Sequence, residues 1–130
     1  WDYVIMQEMS HGPITSPKSF FSSVERLCKQ IQDSGAVPVL YATWAYQKDS
    51  PKLAAKGWDY DEMNRALSEA YHQAAQKNRA LLADVGLHFY KLSHTQQLYA
   101  KDGVHPTQAG SRIAAQVIAS TIQTYEEKRL

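Results

Sequence analysis

Three short runs rich in β-forming apolar residues, over 2–7, 37–44 and 80–84, alternate with longer segments whose apolar residues recur at helical spacing. Strands that alternate with helices of this length can be joined only by crossovers, and right-handed crossovers build a parallel sheet covered by helices. The first run, Asp2-Tyr-Val-Ile-Met-Gln7, is short and nearly continuous, as expected of a strand covered on both faces. Ser16-Pro17 then supplies an N-cap and a first-turn proline. Phe20, Val24, Leu27, Cys28 and Ile31 form the inner stripe of a helix that Gly35 stops. The second run carries Pro38 near its start, where a missing N–H does least harm.

Residues 45–58 read as a long polar connection containing Tyr46 and Trp58. Asp59 and Glu62 have capping-box spacing and open a helix whose stripe is Met63, Ala66, Leu67, Ala70, Tyr71 and Ala74. A short helix is expected over 87–93. Thr107 caps a final helix with Ile113, Ala114, Val117, Ile118, Thr121 and Tyr125 inside. The whole of 1–130 is read as a single domain, a three-layer α/β/α sandwich. The chain opens on Trp1 and passes at once into a strand, and three strands are few for such a sheet. The expectation is therefore an N-terminally truncated domain, whose exposed sheet edge favours a homo-oligomer.

Charge and cysteine content narrow the partners. Fourteen Lys and Arg against thirteen Asp and Glu, spread along the chain, provide no basic stripe for phosphate neutralisation, so no nucleic acid partner is expected. The apolar-rich stretch over 36–46 falls short of the ~18 to 20 residues a bilayer-spanning helix needs, so no membrane span is expected. Cys28 stands alone, on the apolar stripe of its helix, and reads as a core residue. His11, His72, His88 and His94 lack metal-ligand spacing, so neither metal nor cofactor is expected.

In an open parallel sheet, ligands sit beyond the carboxyl ends of the strands. The residues to examine there are 7–11, 44–46, 84–88 and the irregular stretch ahead of the last helix, which ends in Lys101-Asp-Gly-Val-His-Pro-Thr107. A turn at Asp102-Gly103, followed by a His105 that Pro106 holds extended, can fold the carboxylate beside the imidazole. Asp102 would then accept the Nδ1 proton and leave Nε2 as a general base. The same residues also read as two adjacent turn dipeptides with no further role.

Asp102-Gly-Val-His105-Pro106-Thr107, followed by Gly110 and an apolar helix, looks like the final sequence block of the SGNH (GDSL-like) hydrolases, an Asp-x-x-His that opens the C-terminal helix. The strand over 37–44, the helix containing Met63-Asn64 and Ala70, and the strand ending at Asp84 fall where that flavodoxin-like fold places them. The opening stretch through Gln7-Glu8-Met9-Ser10 is similar to the strand preceding the family's third block. The resemblance implies hydrolysis of an ester, including acyl esters of carbohydrates, by a Ser-His-Asp triad in which His105 is the base and Asp102 its orienter. The family's Gly-Asp-Ser nucleophile block is absent, as are the glycine of the second block and the asparagine of the third. The nucleophile is therefore expected upstream of this chain, and the chain alone is expected to be inactive. The alternative from another class is a non-catalytic carbohydrate-binding or interaction module on the same fold.

The other candidates each admit two readings. Gln7 either donates an amide N–H to an oxyanion or satisfies loop backbone at a strand end. Ser10 follows a strand at its carboxyl end and reads as a substitute nucleophile or a loop hydrogen-bonding residue. Glu8 pairs with a loop N–H or a sugar hydroxyl, or stays solvated. Trp44, Tyr46 and Trp58 offer flat faces to sugars or acyl chains, or simply pack. Asp84 competes for His105 or caps the following helix.

Overall fold

The computed structural model describes residues 1–130 throughout. Its elements run β1 (Tyr3–Met6), α1 (Gly12–Thr15), α2 (Pro17–Asp33), β2 (Val37–Tyr41), α3 (Pro51–Lys56), α4 (Tyr60–Asn78), β3 (Leu81–Ala83), α5 (Val85–Leu92) and α6 (Gln108–Arg129). The strands lie in the order β1-β2-β3 and pair in parallel, Tyr3 opposite Val37 and Val39 opposite Leu81. Both crossovers step the same way across the sheet, so α2 and α4 cover one face. α5 and α6 cover the other.

The alternation of side chains along β2 divides the core between these layers. Leu40 packs with Phe20, Val24, Cys28, Leu67 and Tyr71 beneath α2 and α4. Its neighbour Val39 faces Ala83, Val85, Phe89, Leu98, Ala114 and Val117 on the opposite side. The architecture is the α/β/α sandwich that the strand and helix periodicities imply.

Helix boundaries follow local chemistry. Asp59 accepts from the Glu62 N–H at 2.8 Å and starts α4. Thr107 accepts from the Gly110 N–H and starts α6. Gly35 follows α2 with φ of +87°, a conformation that costs glycine nothing. Ser16 stands before Pro17 as expected, yet its side chain makes no cap hydrogen bond.

Four expectations need correction. β1 is not covered on both faces: Ile5 is 46% exposed, because α6 packs on β3 and meets β1 at Tyr3, whose ring sits edge-on to Tyr125. Leu27 lies on the flank of the α2 stripe and is 39% exposed. β2 ends at Tyr41 because the Ala42 carbonyl accepts the Gly86 N–H at the start of α5 instead of continuing the ladder. The connection over 45–58 contains α3, opened by Ser50, whose side chain accepts from the Lys52 N–H, and closed by Gly57 at φ of +71°.

The joint between β2 and α5 fixes the carboxyl edge of the sheet. A β-carbon on Gly86 would lie 2.2 Å from the Thr43 carbonyl oxygen, a backbone atom with no room to retreat. Gly86→Ala is expected to lower stability by about 3 kcal/mol, at the top of the usual overpacking range. Urea unfolding measures this, and a loss under about 0.5 kcal/mol, the scale of an ordinary surface substitution, would contradict the packing described.

Candidate active site

The irregular stretch between α5 and α6 is a small hairpin. Tyr99 bridges Pro106 in antiparallel fashion, the Ala100 N–H donates to the His105 carbonyl at 2.8 Å, and the Thr107 N–H donates to the Leu98 carbonyl at 2.9 Å. Gly103 turns the tip with φ of +71°, which suits glycine. Asp102 sits at that tip and its two carboxylate oxygens act separately. Oδ1 accepts the backbone N–H groups of Val104 and His105, both at 2.9 Å, as aspartate commonly does in turns. Oδ2 lies 2.5 Å from His105 Nδ1.

The carboxylate is thus held by three donors. The His105 ring contributes most to pulling its pKa well below the ordinary carboxylate range, followed by the N–H groups of Val104 and His105. An ionised Asp102 can only accept, so in the neutral imidazole Nδ1 carries the proton and Nε2 keeps its lone pair. Nε2 has no protein partner, and the His105 side chain is 77% exposed. This geometry suits a base that is oriented from one side and open on the other.

The hairpin is anchored to the end of β2. The Trp44 Nε1–H donates to the Val104 carbonyl at 2.8 Å, and the Gln47 N–H donates to the Gly103 carbonyl at 2.9 Å. The Trp44 indole stacks on Phe89 with centroids 4.1 Å apart and planes 7° from parallel. Phe89 in turn meets Tyr99 edge-on, and the Tyr99 hydroxyl donates to the Ala45 carbonyl at 2.7 Å. Burial pushes the Tyr99 phenol far up, so this donor keeps its proton.

The remaining candidates fall into two groups. Gln7 is exposed at the carboxyl end of β1 with no side-chain hydrogen bond, while Glu8 folds back to accept from the Met9 N–H at 2.7 Å. Ser10 Oγ lies 3.4 Å from the hydroxyl of buried Tyr46, joining the loops after β1 and β2, and does not hydrogen-bond His105. Asp84 caps α5 through the Leu87 N–H and lies 3.3 Å from His72 Nε2, so it is not a partner of His105. Trp44, Tyr46 and Trp58 do not form one open aromatic platform. Trp44 is stacked inside, Tyr46 is buried against Ser10, and Trp58 lies apart at the start of α4. Gln47 and Tyr99, which hold the hairpin, carry no motif that sequence reading could detect. A cavity of about 650 Å³ opens elsewhere, at the outer edge of β3 among His88, Ile113, Val117 and Tyr125, and contains neither Asp102 nor His105.

No family model matches the sequence, and no curated protein does. Solved structures do match. A protein of Slackia heliotrinireducens, provisionally classed as an SGNH hydrolase, is 49% identical over 94% of this chain and 66% of its own, with a TM-score of 0.89. A DUF4886 family protein of Bacteroides uniformis is 21% identical over 93% of this chain and 50% of its own, with a TM-score of 0.73. The acetylxylan esterase Axe2 of Geobacillus stearothermophilus is 17% identical over 93% of this chain and 59% of its own, with a TM-score of 0.66. This chain therefore spans between half and just under two thirds of these relatives' own length. The fold of those neighbours is the one described here, a parallel sheet between helical layers. The chain belongs to the SGNH hydrolase superfamily.

The lowered Asp102 pKa has a definite pH consequence. What its ionised form contributes is fully present above the ordinary carboxylate pKa of about 4 and is lost only as pH falls below that, through the depressed native value. Carboxyl-carbon NMR is expected to show Asp102 still ionised at about pH 3, with the midpoint rising toward the ordinary range in His105→Ala. A midpoint near 4 in both proteins would contradict the triple hydrogen bonding.

Proposed function

We propose that this chain carries the base and its orienting acid for a serine ester hydrolase acting on acyl groups of a carbohydrate, the serine coming from a segment upstream of Trp1. The observation that carries this reading is the Asp102–His105 contact, which leaves Nε2 free and solvent-facing at the carboxyl edge of the sheet. The reaction then runs in two halves. Nε2 takes the proton of the serine Oγ as that oxygen attacks the ester carbonyl, and Asp102 stabilises the imidazolium that results. The imidazolium returns the proton to the departing alcohol, and the acyl-serine remains. Water, deprotonated by the same nitrogen, releases the carboxylic acid and restores the serine.

Gln7, at the same carboxyl edge of the sheet, is the candidate oxyanion donor. Its amide is unpartnered at the end of β1, where an N–H donor can meet the oxyanion that forms during acyl transfer. The unpaired outer edge of β1, with Ile5 and Met9 exposed beside it, is the place where a preceding strand would add to the sheet. The carbohydrate part of the proposal draws on Axe2, an acetylxylan esterase with the same fold. Ser10, engaged with Tyr46, is not assigned as the nucleophile.

The test uses protein expressed from a reading frame extended upstream of Trp1. p-Nitrophenyl acetate is expected to be cleaved, with kcat reduced roughly 10³-fold or more in His105→Ala, the scale for loss of a triad member. Undiminished turnover in His105→Ala would overturn the assignment. Sugar binding without any hydrolysis would favour a binding module on this fold.

A further inference from the structure

The loop between β2 and α4 encloses a cavity of about 550 Å³, formed by residues 48–51, 53–54 and 58–61. That volume is typical of a site for a small molecule. It borders the Asp102 turn. Ser50 is in its wall, and the Ser50 Oγ lies 3.2 Å from where a β-carbon on Gly103 would stand. The Gln47 N–H ties the same loop to the Gly103 carbonyl. The cavity wall therefore touches the residue next to Asp102.

Its lining has a definite chemical preference. Trp58 and Tyr60 supply aromatic surface, with Lys56 Nζ over one face of the Trp58 ring at 5.9 Å, while Asp49, Asp59 and Asp61 outnumber the lining cation Lys48. The carboxylates are incompletely used. Asp59 accepts from the Glu62 N–H through Oδ1, and Asp61 accepts from the Tyr90 hydroxyl through Oδ1 at 2.6 Å. Tyr90 is itself held by stacking on Tyr60, with ring centroids 5.3 Å apart. Asp59 also accepts from the Asp61 N–H, whereas Asp61 Oδ2 and the entire Asp49 carboxylate have no protein partner. A hydrocarbon tail placed here would strip water from acceptors it cannot satisfy, and an anionic ligand would be repelled. A neutral group with several hydroxyl donors and one flat apolar face meets both conditions. A sugar ring is such a group.

Trp58 also lines a second cavity, of about 290 Å³, with Ile14, Arg65 and Glu69 on its far side. Its indole is thus the ridge between two adjoining hollows. Resting on the esterase reading above, we infer that the larger cavity is the leaving-alcohol subsite and takes a neutral sugar unit, with Trp58 as the platform and Asp49 and Asp61 as hydroxyl acceptors. A sugar seated there presents its acyl ester toward His105 across Ser50 and Gly103. The enzyme then prefers acylated neutral sugars to esters whose alcohol is aliphatic or anionic.

The test compares xylose tetraacetate with p-nitrophenyl acetate, using the upstream-extended protein and its Asp49→Asn and Trp58→Ala variants. The ratio of kcat/KM for the sugar ester to that for the aryl ester is expected to fall about tenfold or more in each variant, chiefly through KM. An unchanged ratio in Asp49→Asn, a substitution of nearly equal size, would overturn the subsite. In parallel, xylotriose is titrated into the His105→Ala protein while the three tryptophan indole N–H signals are followed by NMR. Saturable movement of the Trp58 signal, weakened by Asp49→Asn, supports the site, and no movement counts against it. If the wild type cleaves neither ester yet xylotriose still moves Trp58, the esterase reading fails and the sugar site stands. Cleavage of both esters with no variant effect is the reverse.

Discussion

A single carboxylate organises the site, and it does so by dividing its two oxygens. Asp102 Oδ1 closes the turn by accepting two backbone N–H groups, while Oδ2 reaches the imidazole three residues further on. Folding the loop and orienting the base are therefore one event. The turn that places the carboxylate brings the His105 backbone to it and sets the ring within reach of Oδ2, and the ring then has one free nitrogen facing water. This economy explains why a segment with little regular structure can hold a side chain that is 77% exposed. Local hydrogen bonds supply the order that burial supplies elsewhere.

The hairpin would still be mobile if it stood alone. It is held by a column of aromatic rings that passes through the layer under α5 and α6: Trp44 on Phe89, Phe89 against Tyr99, and Tyr99 bonded to the Ala45 backbone. The end of β2 and the loop before α6 are thereby fixed to each other, although they are far apart in sequence. The close approach of Gly86 to Thr43 sets the height at which α5 delivers Phe89 to this column. Sheet, helix and turn are coupled through side chains whose polar atoms point at loop carbonyls. That is how a buried packing arrangement controls an exposed base.

Much of the fold was legible in the sequence because it rests on local periodicity. The strands, the stripes of α2, α4 and α6, and the caps at Asp59 and Thr107 involve neighbours within four residues. The same locality makes Asp102 and His105 readable, since turn chemistry brings together residues three apart. α1 and α3 were hidden for the opposite reason: at four and six residues they carry too few apolar positions to show a period, although Ser50-Pro51 and Gly57 mark the ends of α3. The sequence left open whether Trp44 is an open face or packs, because its partner, Phe89, lies beyond α3, α4 and β3 in the chain. Nothing in the spacing of either residue shows that they stack. The exposure of Ile5 was likewise invisible, since an edge strand and a central one have the same composition when short.

The central claim is that Asp102 fixes the His105 tautomer, and nitrogen NMR of the histidine ring tests it most directly. In the neutral ring the account predicts that the His105 Nδ1 carries the proton, with a strongly downfield signal that disappears in Asp102→Ala, while Nε2 resonates as an unprotonated nitrogen. A ring protonated at Nε2, or a spectrum indifferent to the loss of Asp102, would contradict it.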